Sequence, residues 1–258
     1  MPVAGRVEDP DQLETDDTTF ERDGATIDAY LARPKASGAR PAIVIVHEAM
    51  GVDGHIRDVT RRFANAGFTA LAPELYSRVG RPAEGDREDM FRKMFSLRDA
   101  DLVADLDAAA AVLRSRDDAT GKVGIVGFCF GGRTALLAAC STTAFDGAVD
   151  CWGGFITRAT PDDETTDGRP RPVVDLVDQL HGRLYVALGA EDRNPSLADG
   201  DELARRLQAA GKEGDAEIDV YGSAGHAFFN DRRAEMYREE AAHRLWDRML
   251  RLFRETLA

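Results

Sequence analysis

Cysteine and lysine are both scarce in this chain of 258 residues. Cysteine occurs three times, at Cys129, Cys140 and Cys151. The number is odd, the spacings are wide and no C-x-x-C occurs, which argues against a disulfide framework and against a thiol zinc site. Lysine occurs only at Lys35, Lys93, Lys122 and Lys212, so most of the 33 basic residues are arginine. They are outnumbered by 46 acidic residues, for a formal charge of -13. That balance argues against nucleic-acid binding, which needs a basic face for the phosphates. It also argues against electrostatic docking on an anionic membrane. No apolar run approaches the roughly 18–20 residues of a membrane span. The acidic stretch from Glu8 to Asp17 lacks the apolar core of a secretory signal. A cytoplasmic protein with reduced thiols is expected, a monomer or small homo-oligomer with no cofactor and no metal.

What is present is an ordinary globular composition, 43% hydrophobic and 31% charged. Short apolar runs alternate with helical patterns. PAIVIVH (41–47) reads as a strand buried on both faces, TALAPEL (69–75) and KVGIVG (122–127) as buried strands, and GAVDCWG (147–153) and RLYVALG (183–189) as strands. ATIDAYLAR (25–33) and AEIDVYG (216–222) read as further strands. Helices are expected over about 55–66, 86–116, 130–140, 196–210 and 231–257. PDDETTDGRPRP (161–172) is the clearest loop. Residues 1–17 read as an acidic N-terminal extension, and 18–258 as one domain. Strands alternating with helices predict an α/β fold with a mostly parallel, doubly wound sheet. Ligands of such sheets bind beyond the carboxyl ends of the strands.

Gly127-Phe128-Cys129-Phe130-Gly131 falls between a predicted strand and a predicted helix, the nucleophile-elbow pattern with cysteine in place of serine. Small residues two before and two after the nucleophile let helix and strand approach. The helix N-terminus and its free N–H groups favour a thiolate at Cys129. The Phe130 N–H points where an oxyanion would form. In chain order an acid and a histidine should follow. Asp192 lies just past RLYVALG, with Glu191 as the rival acid, and His226 lies just past AEIDVYG. His226 would move the proton and Asp192 would fix its tautomer. His47 precedes the nucleophile and fits that order badly. Cys140 and Cys151 read as core residues.

With these motifs in place the sequence resembles the dienelactone hydrolase family of α/β-hydrolases over roughly residues 18–256. The resemblance is carried by VIVHEAMG (44–51), ALAPELYSR (70–78), VGIVGFCFGG (123–132), GAEDRNPS (189–196) and AGHAFFND (224–231). It implies hydrolysis of an ester or lactone through an acyl-cysteine. It implies that Glu48 holds the resting cysteine and helps ionise it, where a buried structural acid is the alternative. It makes the Ala49 N–H a second oxyanion donor. It places Arg87 where a cation grips a substrate carboxylate, where a solvated surface arginine is the alternative. Asn230 stands where dienelactone-specific members carry a second arginine. Asn230 and Phe128 complete the candidate substrate contacts. Phe91 and Met94 depart from the aromatic donors of those members.

The expected partner is thus a small ester or lactone. A general small-acyl carboxylesterase or thioesterase with the same triad is the alternative within the class. A redox thiol protein using Cys129 is the alternative outside it, disfavoured by the lack of a nearby resolving cysteine. A metal site from His47, Glu48 and His55 does not match the H-E-x-x-H spacing.

Overall fold

The computed structural model describes residues 3–258. Among them eight strands build one sheet: β1 (Leu13–Arg22), β2 (Ala25–Pro34), β3 (Arg40–Val46), β4 (Thr69–Pro73), β5 (Ala119–Phe128), β6 (Gly147–Cys151), β7 (Arg183–Gly189) and β8 (Ala216–Tyr221). The order across the sheet is β1-β2-β4-β3-β5-β6-β7-β8. β1 and β2 join the β4 edge antiparallel, and every pairing from β4 through β8 is parallel. The helices are α1 (Gly54–Asn65), α2 (Arg87–Ser96), α3 (Asp99–Arg114), α4 (Phe130–Ala139), α5 (Leu197–Ala209) and α6 (Glu239–Thr256).

Period-two alternation sends the strand side chains into two cores. Val44, Val46, Ile125, Val186 and Leu188 face one layer, where they meet Leu102 and Leu106 of α3 and Leu136 of α4. Ile43, Ile45, Val126, Val149 and Ala187 face the other, where α1 presents Ile56, Val59 and Phe63 and α6 presents Leu245, Met249 and Phe253. Each of the larger side chains contributes about 1.5–3 kcal/mol by leaving water. The parallel strands β3 to β7 are therefore covered on both faces, which is why these runs read as continuously apolar, while β8 at the edge is half-exposed. Asp53 starts α1 by accepting from the His55 and Ile56 N–H groups at 2.9 and 3.0 Å. Among the described residues no helix is long and apolar enough to cross a membrane.

The segment expected as an acidic extension behaves differently. Its boundary at residue 17 falls inside β1, whose Leu13–Asp17 half pairs with Tyr30–Pro34. β1 is an edge strand, exposed at most positions, and its charges suit an edge that must not recruit another chain. The helix expected over 86–116 is two helices. They break at Leu97–Arg98, where the Asp99 N–H bonds the Gly168 carbonyl at 2.8 Å and its carboxylate takes Arg133. The helix expected from 231 begins only at Glu239, because turns starting at Ala227, Asn230 and Arg233 consume the intervening backbone bonds.

Candidate active site

The elbow begins where β5 ends. Cys129 adopts φ 57° and ψ -115°, a strained left-handed conformation for a residue with a Cβ. Four other non-glycine residues with positive φ, Trp152, Phe155, Ser223 and Ala227, follow strands on the same edge of the sheet. The turn is held by the Cys129 N–H, which bonds the Cys151 carbonyl at 3.0 Å. It is tight enough that glycine is required on both sides. A Cβ on Gly127 would overlap the Gly131 carbonyl, and one on Gly131 would stand 2.6 Å from the His47 oxygen. The parallel register aligns Val46 with Gly127 and Phe128 with Cys151. The segments after β3, β5 and β6 therefore emerge side by side.

Asp192 follows β7 and His226 follows β8, and the two meet. His226 Nδ1 lies 2.7 Å from Asp192 Oδ2. The carboxylate is 5% exposed and the imidazole 28%, so the acid is sealed while the base faces a cavity. Burial works against charge on His226. Cys129 and Asp192 beside it outweigh that and raise its pKa to about 11. Glu191, the rival acid, is exposed. The Asp192 side chain also accepts the Asn194 N–H at 3.0 Å, which fixes its orientation.

A cavity of about 490 Å³ opens over these groups, lined by Glu48, Ala49, Cys129, Phe130, Asp192 and His226. The Ala49 and Phe130 N–H groups have no protein acceptor among the described residues; Phe130 opens α4, where no intrahelical partner exists. The Ala49 peptide is positioned by the Tyr76 hydroxyl, which donates to the Ala49 carbonyl at 3.0 Å. His47 Nδ1 lies 2.6 Å from the Glu48 carbonyl and its Nε2 takes the Leu75 N–H at 3.1 Å. His47 is thus a brace for the segment after β3. Glu74 accepts the Val52 and Tyr76 N–H groups at 2.9 and 3.2 Å and braces the same segment. The roles of Tyr76, Glu74 and His47 were not visible in the sequence, although all three lie in the quoted motifs.

Glu48 is 5% exposed and accepts from Asn230 Nδ2 at 2.8 Å. Asn230 is buried behind Glu48 and does not line the cavity, which corrects its reading as a substrate contact. Phe128 is corrected likewise. Its side chain leaves β5 on the α1–α6 face, fully buried, stacked on Phe229 at 5.8 Å and tilted against Trp152 at 5.8 Å. Arg87 does line the cavity, on an exposed part of α2, with its guanidinium 5.5 Å from the Phe91 ring. Met90, Met94 and Phe155 give the same cavity an apolar wall. Burial pushes the Cys140 thiol up to about 12 and raises that of Cys151 as well, which removes both from thiolate chemistry. Among the described residues no group of three His, Cys, Asp or Glu is placed to hold a metal.

The sequence model of the dienelactone hydrolase family matches residues 27–257. The chain belongs to the dienelactone hydrolase family. A Salmonella typhimurium protein named "Putative carboxymethylenebutenolidase" is 35% identical over 92% of this chain and 85% of its own. A Bradyrhizobium protein named "Probable 2-oxo-3-(5-oxofuran-2-ylidene)propanoate lactonase" is 32% identical over 86% of each. The crystal structure titled "Putative Dienelactone Hydrolase" from Klebsiella pneumoniae superposes with a TM-score of 0.86 at 36% identity, over 94% of this chain and 99% of that one. This dienelactone hydrolase family member is a carboxylic ester hydrolase with the α/β-hydrolase fold, and its substrates are lactones or esters.

Beneath the elbow of this hydrolase lies an acid that the site does not expose. Asp150 on β6 is fully buried. One oxygen accepts the Gly153 N–H at 2.7 Å and the other has no partner among the described residues. Burial raises its pKa to about 7, against the Gly153 bond that lowers it. The folded pKa exceeds that of an unfolded carboxyl near 4. Between roughly pH 4 and 7 the folded state therefore binds the proton more tightly, and stability falls as pH rises through that window. Asp150→Asn keeps the Gly153 acceptor and removes the titration. Urea unfolding at pH 5 and pH 8 should show the native protein losing about 2 kcal/mol more than the variant. Parallel losses in the two proteins would contradict a buried neutral Asp150.

Proposed function

We propose that the hydrolysis runs through an acyl-cysteine, with Cys129 as nucleophile, His226 as proton carrier and Asp192 as its orienting acid. The observation that carries this reading is the 2.7 Å His226–Asp192 hydrogen bond at a cavity that Cys129 also lines. The strained elbow and the raised His226 pKa support it. Cys129 attacks the carbonyl carbon as a thiolate, its proton held by His226 or Glu48. The developing oxyanion is received by the Ala49 and Phe130 N–H groups. Each such donor is worth roughly 3–4 kcal/mol of transition-state stabilisation. Whichever of the two holds the thiol proton gives it up, directly or through His226, to the leaving alkoxide or enolate, and neutral His226 then takes one from water. The hydroxide attacks the thioester, the Cys129 thiolate leaves, and the acid product departs. Glu48 is bonded to the neutral Asn230 amide and lines the same cavity as Cys129, which suits it to the proton-holding role.

The substrate we propose is an ester or lactone of the kind named for the relatives, a lactone such as a butenolide. A general small-acyl carboxylesterase or thioesterase is favoured by one observation, the apolar wall of Met90, Phe91, Met94 and Phe155, which suits a neutral acyl group. Rapid quenching with 4-nitrophenyl acetate, followed by peptide mass spectrometry, tests the common step. One acyl group is expected on the peptide containing Cys129. Turnover with the acyl group on another residue, or on none, would overturn the acyl-cysteine.

A further inference from the structure

The loop between β6 and β7 sends one residue into the cavity. Arg169 is 1% exposed and lines the cavity beside Arg133. It is fixed from its own loop by reciprocal bonds with Thr166: each N–H reaches the other's carbonyl at 3.0 Å. Its guanidinium carbon lies over the Phe95 ring, 4.4 Å from the centroid. Nη2 donates to the Met94 carbonyl at 2.8 Å and Nη1 to the Ala159 carbonyl at 3.5 Å. A guanidinium carries five N–H bonds. The rest of this one, Nε included, have no protein acceptor among the described residues.

The charge count is equally incomplete. Arg133 is also 1% exposed, and its charge is neutralised by a bidentate pair with Asp99 at 2.7 and 2.9 Å. No second carboxylate pairs with Arg169 among the described residues. Tyr76 has its pKa raised above that of a free phenol, foremost by burial, and does not supply a counter-charge. Burial and Arg133 lower the pKa of Arg169 to about 9, against Asp99, which raises it, so it remains a cation at neutral pH. Two all but buried cations thus share one carboxylate, and the cation without an ion pair of its own is costly and is retained where a ligand brings the missing anion. Arg87 differs. It is exposed, and water and salt screen whatever it holds.

We propose that Arg169, backed by Arg133, is the subsite that grips a carboxylate carried by the substrate, so that specificity for anionic esters and lactones comes from the β6–β7 loop and not from Arg87. This rests on the hydrolytic reading above and adds the specificity-determining residue. The forked donor set of Arg169 fits a carboxylate, and the Phe95 ring supports the guanidinium from one side. The net charge of -13 repels anions at long range, so a short-range, water-poor grip is the kind that can select them.

The test compares 4-nitrophenyl hemisuccinate with its neutral methyl ester. The native enzyme should favour the anionic ester by about tenfold or more in kcat/KM. Arg169→Gln should erase most of that ratio, chiefly through KM for the anion, while Arg87→Gln should change it less than about threefold. Arg169→Lys keeps the charge without the fork and should fall between. It carries the comparison if the glutamine variant does not fold. A native enzyme that hydrolyses both esters without preference overturns the subsite alone. So does a preference lost in Arg87→Gln and kept in the Arg169 variants. A native enzyme inert on both esters overturns the hydrolytic reading, and the subsite with it.

Discussion

Replacing Cys129 by alanine is expected to lower kcat/KM on a neutral ester by about ten-thousandfold or more. The size follows from what remains. The Ala49 and Phe130 N–H groups and the cavity walls still bind the ester, and His226 can still activate a water. Such remnants give only a small part of a triad enzyme's acceleration, because nucleophile and base act as one unit. The fold should not notice the change. Cys129 is partly exposed, its elbow is held by the backbone bond to Cys151, and alanine keeps the same Cβ at the same φ of 57°. The melting temperature should stay within about 3 °C of native. Steady-state kinetics and a thermal melt on one preparation settle the matter. Substantial activity in a well-folded variant would remove Cys129 from the mechanism. A lost fold would instead show that the thiol is structural.

The residues of this unit were legible in the sequence for a physical reason. Each follows a strand that the hydrophobic pattern marks, apolar for Cys129 and Asp192 and alternating for His226, and parallel strands all deliver their carboxyl ends to one edge. Cys129, Asp192 and His226 therefore share a cavity whatever the helices between them do. What could not be read depends on side-chain direction or on distant loops. Phe128 precedes the nucleophile, but the period of two turns it away from the cavity into the stack with Phe229. Asn230 lies four residues past His226, yet the turn from Ala227 points it behind Glu48. Arg169 sits in a loop of Gly, Pro and Asp whose path depends on the Asp99–Gly168 bond and the Met94 carbonyl, neither of which has a local signature. β1 escaped because an edge strand with polar residues on both faces lacks the apolar alternation that marks a strand.

The second large effect concerns stability. Gly127→Ala is expected to cost more than about 4 kcal/mol, a large part of the 5–15 kcal/mol that holds a domain together. Gly127 does not lie in the left-handed region, so its need is for space alone. An added Cβ would overlap the Gly131 carbonyl and lie 2.8 Å from the Gly132 nitrogen. These are backbone atoms of the first turn of α4, and they cannot rotate aside as a side chain would. α4 would have to lift from β5, separating Leu136 and Ala135 from the core they complete and opening the turn at Cys129. Gly121→Ala is the matching control. Gly121 has φ 86°, which strains an alanine, but an added Cβ there meets nothing within 4 Å. It should cost about 1 kcal/mol through the backbone alone. Urea unfolding of both variants separates crowding from strain. If Gly127→Ala proves as stable as Gly121→Ala, helix and strand are not as close as the elbow requires, and the oxyanion geometry built on that approach falls as well.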